Sequence, residues 1–263
     1  MIDFHNHLLA AVDDGASDLD QSEEAVRAMY DQGVRSIVVT PHLQGSLTER
    51  PEMLAQALAT IDAAFDQFRT MADKAVPAVS VDRGAEIMLD SPSVVLTDPR
   101  VRLAGTNSVL VEFPGMMIPP HSVQALYQLR VRGWRPIVAH PERYHNLEGL
   151  HVVEEWRAVG ASLQCNAGSI VGKYGSRAEE KAWDLLGRGY IDYLSSDYHA
   201  RGRVPIAAAR NAFSEGGATE AFDRLPNVNP QRLLDGTDPI PVGPVVRKRS
   251  LWKRILGLSN TLV

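Results

Sequence analysis

Short apolar runs alternate with amphipathic helical patterns along most of this 263-residue chain, and most of the runs end at or beside a histidine, aspartate or glutamate. The runs are Met1 to His5, Val34 to Thr40, Val79 to Glu86, Ser108 to Phe113, Pro136 to His140, Ala161 to Asn166 and Ile191 to Asp197. β-branched stretches such as Ile37-Val38-Val39 suit strands buried on both faces. Between them, Leu54, Leu58, Ile61, Phe65 and Phe68 recur at three- and four-residue steps and predict a helix over Pro51 to Ala72. Further helical stretches fall at 121–132, 148–159 and 176–188, followed by Gly133, Gly160 and Gly189, where a left-handed residue ends a helix. A first helix, with Glu23 and Glu24 on its solvated face, is expected to start from a cap at Ser22 or Asp20. Seven strand–helix units of this kind imply an α/β fold with parallel strands and right-handed crossovers, and a barrel of about 250 residues is an ordinary single domain.

In such barrels the active site lies at the C-terminal ends of the strands, and the polar residues of interest all fall there. His5 and His7 sit two apart, so an extended backbone points both imidazoles the same way. Asp13-Asp14-Gly15, His42, Glu86, Glu112, His140 and the pair Asp197 and His199 follow in order. Of the two adjacent aspartates only one is expected to be a ligand. Imidazole with carboxylate suits Mn²⁺, Fe²⁺, Co²⁺ or Zn²⁺ without choosing among them. His5, His7, Asp14, His42, Glu86, Glu112, His140, Asp197 and His199 are too many for one ion, so two or three metals are the natural count. Closely spaced metals suit in-line displacement at phosphorus. Arg143 and Arg203, shortly after His140 and His199, offer guanidinium forks for phosphate oxygens. His121, His145 and His151 stand outside the series and read as structural; Glu142 reads as a supporting residue or salt-bridge partner.

Two alternatives are rejected. The segment Gly168 to Tyr174 has three residues between its glycines instead of the four of a phosphate loop, and Tyr174 stands where a metal-binding hydroxyl is needed. Cys165 lacks the arginine six residues on that a thiol phosphatase requires, since position 171 is Val, and it reads as a buried strand residue.

Composition narrows the class further. A lone cysteine excludes an intrachain disulfide, no run of about 18 apolar residues exists, and the N-terminus lacks the regions of a secretory leader, so a cytoplasmic protein is expected. The formal charge is −5, but five of the 27 basic residues stand in a last segment without acids, leaving −10 on residues 1–243. That acidic body argues against nucleic acid as a partner. The expected organisation is a catalytic barrel over 1–243 and a basic amphipathic tail over 244–263. Drawn as a helix, the tail sets Leu251, Ile255 and Leu258 on one face with Trp252 and Leu256 beside them. This suits peripheral contact with an anionic membrane, or docking on the barrel or a neighbouring subunit. Homo-oligomerisation stays open.

The ordered motifs carry a resemblance. Met1-Ile-Asp-Phe-His-Asn-His7, Val12-Asp-Asp-Gly15, Gly84-Ala-Glu-Ile87, Val111-Glu-Phe113, Ile137-Val-Ala-His140 with Glu142-Arg-Tyr144, Gln164-Cys-Asn166 and Ser196-Asp-Tyr-His199 stand in sequence, with Gly202-Arg203 and Asn229-Pro230 after them. Over roughly residues 1–235 the chain resembles the bacterial PHP-family protein-tyrosine phosphatases that partner tyrosine kinases of capsule and exopolysaccharide synthesis. The resemblance implies a distorted seven-stranded TIM-like barrel and three divalent ions, usually manganese. It implies His5, His7, Glu86 and Asp197 on one ion, Glu86, Glu112 and His140 on a second, and Asp14, His42 and His199 on the third. Arg143 and Arg203 would grip the phosphate of a phosphotyrosine protein, and a metal hydroxide would attack it. The segment after His199 is one residue shorter than the family pattern, which leaves Arg201 as the alternative to Arg203. The basic tail is a departure from the family. Other readings are a small-molecule phosphatase of the histidinol-phosphate type and a metal-stabilised scaffold that binds the kinase.

Overall fold

A computed structural model describes residues 1–247. The fold is mixed α/β with parallel strands throughout. Strand β1 (Ile2–Asp3) pairs with β2 (Ser36–Val39), and β2 pairs with β4 (Ser80–Arg83). A six-stranded sheet runs β3 (His42–Gln44), β5 (Glu86–Met88), β6 (Ser108–Glu112), β7 (Arg135–Ala139), β8 (Ser162–Asn166) and β9 (Tyr193–Ser195). The helices are α1 (Leu19–Asp31), α2 (Pro51–Ala75), α3 (Ser122–Val131), α4 (His151–Ala158), the short α5 (Ala167–Ile170), α6 (Ser176–Gly187), α7 (Ile206–Glu215), α8 (Thr219–Asp223) and α9 (Asn229–Leu234). Gly133, Gly160 and Gly189 adopt positive φ after α3, α4 and α6, as their spacing predicts.

The expected seven unbroken strands appear as nine segments. The Val79 to Glu86 run divides at Gly84-Ala85, and an additional segment, β3, follows the Val34 to Thr40 run after Pro41. Pro41 has no N–H to give a ladder, and Gly84 is pressed against Leu103, so both strands bend. Pairing still crosses the breaks, through Gly84 N–H to Val39 O (2.9 Å) and Glu86 N–H to Pro41 O (3.1 Å). The segments that follow β1 and β9 meet through Asp197 N–H to His5 O (2.8 Å) and His7 N–H to Tyr198 O (2.9 Å), flanking a parallel bridge between Asn6 and Tyr198. Helices α7 to α9 lie beyond the elements expected from periodicity.

Strand side chains alternate between two cores. Ile37, Val39, Ile87, Val109, Val111, Val138, Leu163, Cys165 and Leu194 join the large cluster packed against the helices. Val38, Leu110, Ile137, Ala139 and Tyr193 join Phe4, Leu103 and Leu233 in a smaller cluster on the other face. This two-sided burial is why the strands read as continuous apolar runs rather than alternating ones.

The first helix is capped by Asp18 instead of Ser22 or Asp20. Its side chain accepts from Gln21 N–H at 2.9 Å. Ser22 is instead buried and donates to Leu8 O at 2.8 Å, tying the helix to the segment that follows the two histidines.

The packed body continues to the end of the described residues. Val242 and Val245 are buried, Val245 N–H donates to Leu186 O, and Arg247, expected in the tail, pairs with Glu179. The rest of the expected basic amphipathic tail, including Leu251, Trp252, Ile255 and Leu258, lies outside the described residues. Among the described residues no helix is long and apolar enough to cross a membrane.

The cap assignment is checked by thermal unfolding. Asp18→Ala should cost about 1 kcal/mol, and Asp20→Ala much less. Equal effects would contradict it.

Candidate metal centre

Strand parity delivers most of the site. Residues at the parity of Leu110 and Tyr193, opposite to the helix-facing set, include Glu86, Glu112, Gln164, Asn166 and Asp197, and these turn toward the interior at the C-terminal ends of the strands. His140 is one residue out of step with Ile137 and Ala139. Its backbone turns left-handed (φ 34°, ψ 57°), and the imidazole swings in. Asp197 also has positive φ, 49°. Such conformations are uncommon outside glycine, and His and Asp are among the residues that accept them.

Glu86 is fully buried and is the hub. Its Oε1 lies 3.0 Å from His140 Nε2, and its Oε2 lies 3.2 Å from His5 Nε2, 3.4 Å from His7 Nε2 and 3.2 Å from His42 Nδ1. Asp197 Oδ1 is 3.4 Å from Nε2 of both His5 and His7. Asp14 Oδ1 approaches His42 Nε2 (3.5 Å) and His199 Nε2 (3.3 Å).

All nine predicted ligands come together. They form four overlapping groups: His5, His7, Asp197; His5, Glu86, His140; His42, Glu86, Glu112; and His7, Asp14, His42, His199. Within each, the ligand atoms lie within 4.8 Å of one another. Glu112 is grouped with His42 and Glu86, whereas the resemblance pairs it with His140.

The residues fit divalent cations. His5 Nε2, His7 Nε2, Glu86 Oε2 and His140 Nδ1 are buried with no hydrogen-bond partner. Buried polar atoms are nearly always satisfied, and three of these orphans, His5 Nε2, His7 Nε2 and Glu86 Oε2, lie together and call for a charged guest. The far ring nitrogens are already engaged. Gln164 spends its amide N–H groups on Cys165 O and Asn166 Oδ1, so its Oε1 accepts from His5 Nδ1 at 2.8 Å, and the lone pair is left on Nε2. Asp13 Oδ2 holds His7 Nδ1 at 2.7 Å and accepts from His42 N–H at 3.1 Å. Of the adjacent pair, then, Asp13 orients and Asp14 faces the other ligands. Asp3, buried beneath the site, accepts from Ser196 N–H at 2.8 Å and Asn6 Nδ2 at 3.1 Å.

Without ions, protons stand in for them. Burial disfavours the charged imidazole of His42, but Glu112 and Glu86 outweigh it and raise its pKa to about 10. Burial likewise opposes protonation of His7, and Asp13, Asp197 and Glu86 overcome it. Burial opposes ionisation of Glu86 and Asp197, yet His5 and the neighbouring imidazoles hold both carboxyls well below their ordinary range.

Arg143 reaches the rim. It donates to Asp197 Oδ2 at 2.6 Å, and its guanidinium lies 4.3 Å from the centre of the Tyr174 ring. With Asp14, Glu112, His140, Asp197 and His199 it lines a cavity of about 260 Å³. Arg201 and Arg203 are both exposed and neither lines this cavity; Arg203 makes no hydrogen bond or ion pair among the described residues. Arg201 donates to Asp14 O. Glu142 is buried and forms no salt bridge among the described residues; its Oε1 accepts from Asn166 N–H (3.0 Å) and Ser169 Oγ (2.6 Å). His121, His145 and His151 are exposed and away from the cluster.

A family model described as capsular polysaccharide synthesis, CpsB/CapC, matches residues 1–235. The chain belongs to the CpsB/CapC family. Among relatives of this CpsB/CapC chain, the tyrosine-protein phosphatase YwqE of Bacillus subtilis is 31% identical over 206 residues, covering 76% of this chain and 77% of the relative. The tyrosine-protein phosphatase CpsB of Streptococcus pneumoniae is 28% identical over 207 residues, covering 76% and 83%. A solved chain from work on YwqE and pneumococcal CpsB, described as unique metal-dependent tyrosine phosphatases, superposes with a TM-score of 0.79 at 27% identity. That match covers 95% of the CpsB/CapC chain and all of the other.

Two predictions arise from this geometry. Gly15 lies against the backbone of His7, where a Cβ would stand 1.9 Å from His7 O. Gly15→Ala should lower stability by about 3 kcal/mol and weaken metal binding by displacing His7; unchanged melting and metal affinity would refute that close fit. Secondly, ligation needs neutral imidazole, and His42 in the metal-free protein holds its proton up to about pH 10. Mn²⁺ binding should therefore release protons at neutral pH and strengthen as pH rises. Calorimetry in buffers of differing ionisation enthalpy measures this, and pH-independent affinity between about pH 6 and 8 would contradict it.

Proposed function

We propose that the chain is a metal-dependent phosphotyrosine-protein phosphatase acting on a tyrosine kinase of capsule or exopolysaccharide synthesis in the cytoplasm. The observation that carries the reading is the gathering of nine ligand-type side chains, Glu86 among them, into four overlapping groups, with a guanidinium at the mouth of the same cavity. Kinship with named tyrosine-protein phosphatases supports the substrate class. The nine strand segments are read as seven staves of a distorted barrel, since pairing continues across both breaks and across the join of β9 to β1.

Three ions, with manganese the expected metal, would be held as the resemblance implies, by His5, His7, Glu86 and Asp197; by Glu86, Glu112 and His140; and by Asp14, His42 and His199, with Glu86 shared by the first two. Bound divalent ions supply positive charge to phosphoryl oxygens and make water nucleophilic near neutral pH. The chain's own residues do the rest. Gln164 and Asp13 fix the imidazoles. Arg143 spends one nitrogen on Asp197 and keeps donors for the equatorial phosphate oxygens, its plane held by Tyr174. Arg201, against Asp14 O, is better situated than Arg203 for the second arginine role. The leaving phenol has a pKa of about 10, well below an alkanol's, so the reaction needs little help from a general acid. Cys165 is unsuited to act as a nucleophile: it is fully buried, and burial with the nearby Glu142 pushes its thiol pKa well up.

The test is turnover of a phosphotyrosine peptide against alkyl phosphates, with metal analysis. Chelation should abolish activity and Cys165→Ser should retain most of it. Arg143→Ala should cost about 2–4 kcal/mol in kcat/KM at unchanged metal content, the range for losing one transition-state donor. Activity that survives chelation, preference for alkyl phosphates, or at most one ion per chain under saturating Mn²⁺ would overturn the reading.

A further inference from the structure

Beside the metal cavity lies a second hollow of about 260 Å³ that shares Arg143 and Met116 with it. Its walls carry Arg143, Arg177, Lys181, His145 and Tyr174, and the only acid among them is Glu142. Glu142 is 1% exposed and forms the floor; its Oε1 is occupied by Asn166 N–H and Ser169, and its Oε2 is buried without a hydrogen-bond partner.

The two further cations are tethered without being neutralised. Arg177 Nη2 donates to His145 O at 2.8 Å and Lys181 Nζ donates to Tyr144 O at 2.9 Å. Neither takes part in any ion pair among the described residues, whereas Arg83, Arg100, Arg143 and Arg157 each do. Each keeps free N–H donors, since a guanidinium has five and an ammonium three. Both project from α6, one turn apart, so the helix fixes their spacing. Burial and the like charge of Arg177 push the Lys181 pKa below its ordinary value, with Glu148 only opposing. An anion entering this hollow would relieve that repulsion.

We infer that the hollow is a second anion subsite, which takes a carboxylate or phosphate carried on the substrate peptide close to the phosphotyrosine. The inference rests on the phosphatase reading for what occupies the metal cavity. Arg143 stands between the two hollows and couples them: phosphate on one side, flanking anion on the other. The enzyme would thus prefer phosphotyrosines in acidic or multiply phosphorylated stretches.

The experiment uses the Mn²⁺-loaded full chain and fluorescent peptides bearing a non-hydrolysable phosphotyrosine mimic. A Glu, a second mimic or an Ala is set in turn at each position next to, and next but one from, the first mimic. At one or more positions an acidic neighbour should tighten binding about tenfold over Ala, the effect of one charge-assisted hydrogen bond. Whether Glu or the second mimic gains more identifies the natural anion as carboxylate or phosphate. Arg177→Gln with Lys181→Gln should erase the difference. The single variant Arg177→Glu, on an exposed side chain, should shift the preference toward a Lys neighbour. Equal Kd for acidic and Ala-flanked peptides at every position, or a preference that survives both variants, overturns the subsite. Turnover of Ala-flanked phosphotyrosine peptide separates the two readings. Turnover with no flank preference sinks the subsite and leaves the phosphatase; flank preference without turnover does the reverse.

Discussion

A buried carboxylate at position 86 meets four imidazoles at 3.0–3.4 Å, and the rest of the site is arranged around the cost of that concentration of charge. An isolated carboxylate so far from water would protonate instead of staying charged. Here it stays ionised because His5, His140 and His42 surround it. The imidazoles are in turn held from behind by neutral Gln164 and charged Asp13. The outer contacts leave inward-facing nitrogens without partners, which is the property a cation site needs. Arg143, paired with Asp197, adds positive charge at the mouth and none at the bottom, so the anionic substrate meets its counter-charge where it enters.

Much of this was legible in the sequence. The strands were, because burial on both faces writes them as β-branched runs, and their C-terminal ends located the ligands. His5 and His7 stayed a pair on one side because the backbone around Asn6 is extended enough to bridge to Tyr198. The breaks at Pro41 and Gly84 were not foreseen, since a bent strand keeps the apolar pattern of a straight one.

What escaped the sequence was mostly the outer contacts. Gln164, Asp3 and Asp13 are ordinary polar residues until a fold sets an imidazole or a backbone N–H at 2.7–2.8 Å from each. The choice between Asp13 and Asp14 was of this kind, because adjacent residues point in different directions and only the loop around Gly15 decides which one faces inward. Asp18 was passed over as a cap because Ser22 and Asp20 fit the same signature; Ser22 is buried, with its hydroxyl bonded to Leu8 O. Arg203 and Arg201 could not be told apart by spacing, as each lies on a short turn with positive φ at Ala200 and Gly202.

The join between β9 and β1 has a consequence for how the molecule assembles. His5 and Asp197 lie 192 residues apart in the chain, so the contact between them closes a loop that contains nearly all the other elements. Closing so long a loop carries an entropic cost that local helix and strand pairing must meet first, and contacts of this separation form slowly. The ligand set is therefore complete only when the last strand docks against the first. A chain emerging from the ribosome carries its histidines for most of its synthesis without presenting a finished ligand set.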